Sequence, residues 1–155
     1  MKAVIFLDFD GVLHDIDAGD IEWGEDSWRV VGKPGCAPLF CHVSILWDLI
    51  KDHNIDLVVH SSWRTNHDLD EIRALFPEEM RDRIVDVTDP TLSRFESIEF
   101  YIDLQGVDRY LVLDDDRKSF PENWAPLVVC DKVKGISETE VQQRIQAFVE
   151  GLNRI

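Results

Sequence analysis

The sequence is poor in positive charge: 16 lysines and arginines stand against 31 aspartates and glutamates, a formal net charge of −15. Such an imbalance disfavours nonspecific attraction to nucleic acid and to anionic membrane surfaces. Long apolar runs are also missing. The stretch Val4–Leu7 is broken by Asp8, far short of a signal-peptide core or a membrane span. Cysteine is scarce: Cys36, Cys41 and Cys130 are odd in number and include no Cys-x-x-Cys pair. A reduced, cytoplasmic protein is expected. Cys36, Cys41, His42 and His53 match no usual finger spacing, and Cys41 and His42 point to different helix faces, so zinc is not expected.

What is present belongs to a packed protein. Hydrophobic residues make up 45% of the 155, and five tryptophans supply large buried surfaces, which argues against disorder. The length predicts one domain over 1–155 with one core. One segment departs in composition. Asp15, Asp17, Asp20, Glu22, Glu25 and Asp26 follow one another with no lysine or arginine among them. Gly19, Gly24 and Lys33-Pro34-Gly35 mark about 14–38 as an acidic loop or hairpin rather than a helix.

Apolar periodicity sets out the remaining elements. Strands are expected at Val4–Leu7, Ile55–Ser61, Ile84–Val87, Tyr110–Leu113 and Leu127–Cys130. Helices are expected at about 39–52, from Leu69 to a stop before Pro77, and from Phe95 to near Gly106. A last helix, opened by a Ser137-x-x-Glu140 capping box, buries Val141, Ile145, Phe148, Val149 and Leu152. The alternation predicts an α/β fold: a three-layer, Rossmann-like parallel sheet of about five strands with helices on both faces. Ligands of such sheets sit outside the carboxyl ends of the strands. Asp8 with Asp10, Ser61 with Ser62, and Asp114-Asp115-Asp116 all fall at such ends, so three distant clusters are expected at one rim.

Side chains alternate across a strand, so Asp8 and Asp10 are expected to point one way while Phe9 packs inward. Two carboxylates aimed at one spot repel each other unless a cation or a shared proton lies between them. An EF-hand calcium loop is excluded, because it needs glycine sixth and an oxygen ligand fifth. Here Gly11 is fourth and Val12 fifth.

With these motifs the chain resembles the haloacid dehalogenase superfamily of aspartate-nucleophile phosphatases. Asp8-Phe-Asp10-Gly11-Val12 looks like its first motif, Ser61 closing an apolar strand like the second, and Asp114-Asp115 like the fourth. Leu-Asp-Phe-Asp-Gly-Val-Leu, Ser-Ser-Trp-Arg and Val-Leu-Asp-Asp-Asp are most similar to the cap-less domains also found in bacterial RNA-repair proteins. The resemblance implies a Mg²⁺-dependent phosphomonoester hydrolase. Asp8 would attack phosphorus and carry the phosphoryl group. Asp10 would protonate the leaving alcohol, then deprotonate water, with its backbone carbonyl on the metal. Asp8, Asp114 and Asp115 would complete an oxygen shell suited to Mg²⁺. Ser61 would bind a phosphoryl oxygen, and Gly11 would permit the tight turn after the strand.

The family's third motif is normally a lysine at the start of the helix before the fourth strand. This chain has Arg94 there, with Lys118 after the acidic cluster as the substitute. An arginine binds phosphoryl oxygens with a fork rather than a point charge. Ser62 is the fallback for Ser61. Arg64 is read either as a phosphate contact or as a surface ion pair, and Asp116 as an outer or helix-start carboxylate. His14 is a loop residue that faces substrate or solvent, and His60 is packed.

The intervals from Asp8 to Ser61 and from Ser61 to Arg94 leave no room for a folded cap, so an open site is expected. Open sites of this family tend to take large substrates or to borrow a lid from a partner protein. A small nucleotide or sugar phosphate and a nucleic-acid terminal phosphate are equally compatible with the sequence. Trp23, Trp28 and Trp63 either stack a base without positive charge or pack the loop. The alternative to an enzyme is a catalytically silent phosphate- or protein-binding module, with the acidic loop as its recognition surface.

Overall fold

All five residues of β1 (Ala3–Leu7) are buried, and a strand buried on both faces must be central to a covered sheet. The computed structural model that shows this describes residues 1–23, 28–32 and 37–155, excepting the side chains of 20, 21, 23 and 28–30. The proposed stacking rings of Trp23 and Trp28 therefore lie outside the described residues. So do the acidic side chain of Asp20, the whole of Glu25, Asp26 and Cys36, and the turn markers Gly24 and Lys33-Pro34-Gly35.

After β1 come β2 (Gly19–Trp23), β3 (Trp28–Gly32), α1 (Val43–Ile50), β4 (Asp56–Val59) and α2 (Leu69–Ala74). Then follow β5 (Ile84–Val87), α3 (Arg94–Gln105), β6 (Arg109–Asp114), β7 (Leu127–Val129) and α4 (Thr139–Glu150). The main sheet has the order β5-β4-β1-β6-β7, and every pairing in it is parallel. The acidic segment forms an antiparallel hairpin in which β2 pairs with β3, the second of the two forms expected of it. No described helix is long and apolar enough to cross a membrane.

Alternation along β1 splits the core in two. Ile5 and Leu7 pack with Leu46 and Ile50 of α1, Ile72 of α2 and Ile145 and Val149 of α4. Val4 and Phe6 pack on the other face, with Ile98 and Tyr101 of α3 and with Phe120. The predicted three-layer α/β sheet is thus the fold. Fully burying a side chain such as Ile5, Phe6 or Leu7 stabilises it by about 1.5–3 kcal/mol relative to exposure. That burial fixes the strand end from which Asp8 emerges. Among the described residues, only the hairpin, α1 and β4 lie between Asp8 and Ser61, and only α2, β5 and short turns between Ser61 and Arg94. No inserted cap is present among the described residues.

Three boundaries differ from expectation, each for a local reason. The helix expected over 39–52 begins only at Val43, because Phe40 adopts a left-handed φ of 60°, which no helix continues through. The strand expected to run through Ser61 stops at Val59, and Ser61 instead caps a 3-10 turn over Ser62–Thr65. The Ser137 capping box does not form. Ser137 Oγ donates to the Lys134 carbonyl at 2.6 Å inside a preceding 3-10 turn, and Glu138 precedes the helix without a side-chain cap. A capping box does form at Asp68 and Glu71, at the start of α2.

Candidate active site

The register of the sheet determines what meets at its rim. Leu7 lies beside Val59 on one side and Leu113 on the other, so the next residues, Asp8, His60 and Asp114, emerge side by side. Backbone bonds continue one residue past the strands: Asp8 N–H donates to the Leu113 carbonyl and His60 N–H to the Leu7 carbonyl, both at 3.1 Å. Carboxylate oxygens of Asp8, Asp114 and Asp115 lie within 4.8 Å of one another, and all three residues are buried. Gly11 makes room for the third. Its φ is +76°, and a Cβ there would fall 2.4 Å from Asp115 Oδ2.

Beyond Leu7 the chain no longer alternates. It turns, with Val12 and Leu13 N–H groups both donating to the Phe9 carbonyl, and the two aspartates part company. Phe9 is fully buried, as expected. Asp8 faces the carboxylate cluster, whereas the Asp10 carboxylate is not among the three. The expectation that both point at one spot is corrected by this turn, since period-two alternation holds only within a strand.

Arg94 opens α3, whose first turn is capped by Ser93. Its Nη1 donates to Asp114 Oδ1 at 2.8 Å and Oδ2 at 2.9 Å, and to Asp8 Oδ2 at 3.3 Å. Lys118 sits exposed on the turn after the acidic cluster, its backbone N–H bonded to Asp116 Oδ1 at 3.2 Å. Of the two basic candidates, Arg94 is the one brought to the carboxylates. A second cation was not foreseen: Lys132 Nζ lies 3.1 Å from Asp115 Oδ2. Its signal was its position just past the fifth strand, at the same rim as the others.

His60 and Asp114 form a fully buried pair, with Nε2 2.7 Å from Oδ2. Burial lowers the His60 pKa, as do Arg94 and Arg64, against the pull of Asp114. Facing a carboxylate, Nε2 is the donor of this pair, and the buried Nδ1 has no partner among the described residues. Burial alone would raise the Asp114 carboxyl, but His60, Arg94 and the Asp116 N–H outweigh it and hold it at about 2. Asp8 goes the other way. Burial first, then the charges of Asp114 and Asp115, push its carboxyl well above the ordinary range despite Arg94. Three clustered carboxylates offer oxygen donors only, a set that fits a hard divalent ion.

Asp10 has its own surroundings. His14 Nε2 lies 2.7 Å from Oδ1, and the Trp63 indole N–H donates to Oδ2 at 2.9 Å. His14 is fully buried, so it faces neither solvent nor substrate. Asp10, Ser62 and Trp63 line an open cleft of about 290 Å³ together with Ile16, Gly19, Thr65, Asn66 and His67. Ser61 is buried, and its Oγ accepts the Trp63 backbone N–H at 3.3 Å. Ser62 is the exposed neighbour. Arg64 turns inward: its guanidinium donates to the His60 carbonyl, to the Ser61 carbonyl at 2.9 Å and to the Leu92 carbonyl at 3.4 Å. These bonds fasten the residues that follow β4 to the approach to α3, and the buried side chain is not the surface ion pair that is the other expectation for it. Asp116 accepts from Ser119 Oγ at 2.7 Å and donates its own N–H to Asp114 Oδ1 at 2.8 Å, as an outer carboxylate does.

Compared with known families, residues 4–141 match the one described as "HAD domain in Swiss Army Knife RNA repair proteins". No curated protein and no solved structure matches the chain.

Proposed function

The chain belongs to the family of HAD domains found in Swiss Army Knife RNA repair proteins, and on that premise we propose that it is a magnesium-dependent phosphomonoester hydrolase. The observation that carries the reading is the buried group of Asp8, Asp114 and Asp115, with Arg94 bridging Asp8 and Asp114. Asp8, Asp114 and Asp115 would hold the ion, together with the Asp10 backbone carbonyl. Magnesium bound there would offset the negative charge of carboxylates and phosphoryl oxygens.

The remaining chemistry belongs to the chain. One Asp8 oxygen attacks phosphorus while the bond from phosphorus to the leaving oxygen breaks. Asp10 gives its proton to that oxygen. Water then attacks the aspartyl phosphate and loses a proton to Asp10; the bond to Asp8 breaks and inorganic phosphate departs. Ser61, whose Oγ accepts from the Trp63 N–H, keeps its own proton for a phosphoryl oxygen. Arg94 steadies Asp8 and the incoming charge. Gly11 gives the loop its turn, and Ser62 lies where the leaving group would rest.

The substrate is a phosphomonoester: a nucleotide or sugar phosphate, or the terminal phosphate of a nucleic acid. Hydrolysis of p-nitrophenyl phosphate with Mg²⁺, lost on chelation and in Asp8→Asn, is the expected result. A panel of phosphorylated metabolites and 3′- and 5′-phosphorylated oligonucleotides then separates the substrate classes. Absence of turnover, with no beryllofluoride adduct on Asp8, would favour a silent phosphate- or protein-binding module instead.

A further inference from the structure

The Asp10 carboxylate is held from two sides by buried side chains. His14 lies 2.7 Å from Oδ1 and the Trp63 indole 2.9 Å from Oδ2. The tautomer of His14 follows from its other nitrogen. The Phe40 backbone N–H lies 3.1 Å from Nδ1, and an amide N–H can only donate, so Nδ1 accepts and the proton sits on Nε2. His14 thus donates to Asp10. It cannot also take a proton on Nδ1 without losing Phe40, so a relay through the ring is unfavourable.

Both donors are locked by packing. The His14 and Phe40 rings meet edge to face at 5.0 Å, and Phe40 and Trp63 at 5.4 Å. Phe9 closes the group from below, 5.6 Å from Trp63 and 5.4 Å from Phe40. The Phe40 backbone itself is in a left-handed conformation, with φ of 60°. That is a costly choice for an aromatic residue, and it is the conformation in which the amide meets His14.

We propose that His14 and Trp63 are positioning residues for the acid–base step. Together they fix the rotation of the Asp10 carboxyl so that it meets the leaving-group oxygen across the cleft. The inference rests on the phosphatase reading above. One donor on each oxygen stops the carboxyl from turning about its last bond. Each oxygen retains a second lone-pair direction, so the group can still carry and release a proton towards the cleft that it lines. In the step concerned, the bond from phosphorus to the leaving oxygen breaks, its electron pair stays on that oxygen, and the Asp10 proton joins it.

Leaving-group chemistry provides a readout that a merely structural role would not move. A poor leaving group such as an alkoxide depends on that proton, whereas a good one such as 2,4-dinitrophenolate departs without it. Trp63→Phe removes the indole N–H and keeps an aromatic ring. His14→Phe removes the other donor, and His14→Gln restores both a donor for Asp10 and an acceptor for Phe40. We expect Trp63→Phe and His14→Phe to lose on the order of tenfold in kcat on an alkyl phosphate, but less than about threefold on 2,4-dinitrophenyl phosphate. His14→Gln should recover most of the alkyl activity, with circular dichroism and melting temperature checked for each variant. Equal loss on both esters by folded variants, Trp63→Phe included, would overturn the inference and leave the phosphatase reading intact. A wild type that hydrolyses neither ester would overturn both.

Discussion

The Arg94 guanidinium rests on both carboxylate oxygens of Asp114, at 2.8 and 2.9 Å from a single nitrogen. The same nitrogen reaches Asp8 at 3.3 Å, so the start of one helix is tied to two strand ends. Removing it leaves two buried carboxylates with less compensation, which is the costly way to break a buried pair. Arg94→Ala should lose about 3 kcal/mol of stability in the metal-free protein. Urea unfolding with and without Mg²⁺ measures this, and the ion should narrow the gap. Arg94→Lys keeps the charge and a single donating nitrogen but changes the reach of the side chain, and it should fall between the two.

Asp8 gives the metal-free protein a distinctive response to pH. Its folded pKa is raised, so the stability it contributes is present below the ordinary carboxylate value and lost as pH rises through the raised one. Asp114, held at about 2, contributes stability above the ordinary value that is lost as pH falls. Melting wild type and Asp8→Asn side by side, from about pH 5 to about pH 8, isolates the first effect. The advantage of wild type over Asp8→Asn should shrink as pH rises, and stabilisation of wild type by Mg²⁺ should grow.

Gly11 offers a contrast with Gly106. Both have positive φ, +76° and +64°, but only at Gly11 would a Cβ collide with a neighbour, Asp115. Each Gly→Ala change should cost about 1 kcal/mol or more in backbone strain. Only Gly11→Ala should also weaken Mg²⁺ binding, read by calorimetric titration, because Asp115 must move. Equal affinity in the two variants would contradict a role for Asp115 in holding the ion.

Cys130 is 2% exposed, and burial, with nearby carboxylates, pushes its thiol pKa upward. A buried thiol kept protonated is a poor nucleophile. Peptide mapping after alkylation should find Cys130 unmodified in the native protein and modified once urea is added.

The rim is legible in the sequence because it depends on two robust patterns: apolar strands and the polar residues that end them. Asp8, Ser61 and Asp114 needed only those. What could not be read was everything decided by direction after a strand ends. Asp10 was grouped with Asp8 by an alternation that stops at Leu7. The sequence leaves Arg64 open between a phosphate contact and a surface ion pair and does not show that its guanidinium turns onto backbone carbonyls. His14 had no periodic signal to reveal its bond with Asp10, which depends on the unusual backbone of Phe40. Local rules likewise chose the wrong capping box: Ser137 meets the pattern, but the preceding turn takes its hydroxyl.

The pairing of β1 with β6 has a consequence for the order of assembly. Ala3–Leu7 leaves the ribosome ahead of its partner Arg109–Asp114, which follows roughly a hundred residues later, several seconds at ordinary rates of synthesis. Until then Asp8 has neither Asp114 nor Asp115 beside it and bears no repulsion from them. The electrostatic cost of the cluster arises only once β6 reaches β1. An early intermediate of this chain should therefore be indifferent to magnesium, and sensitivity to the ion should mark the arrival of β6.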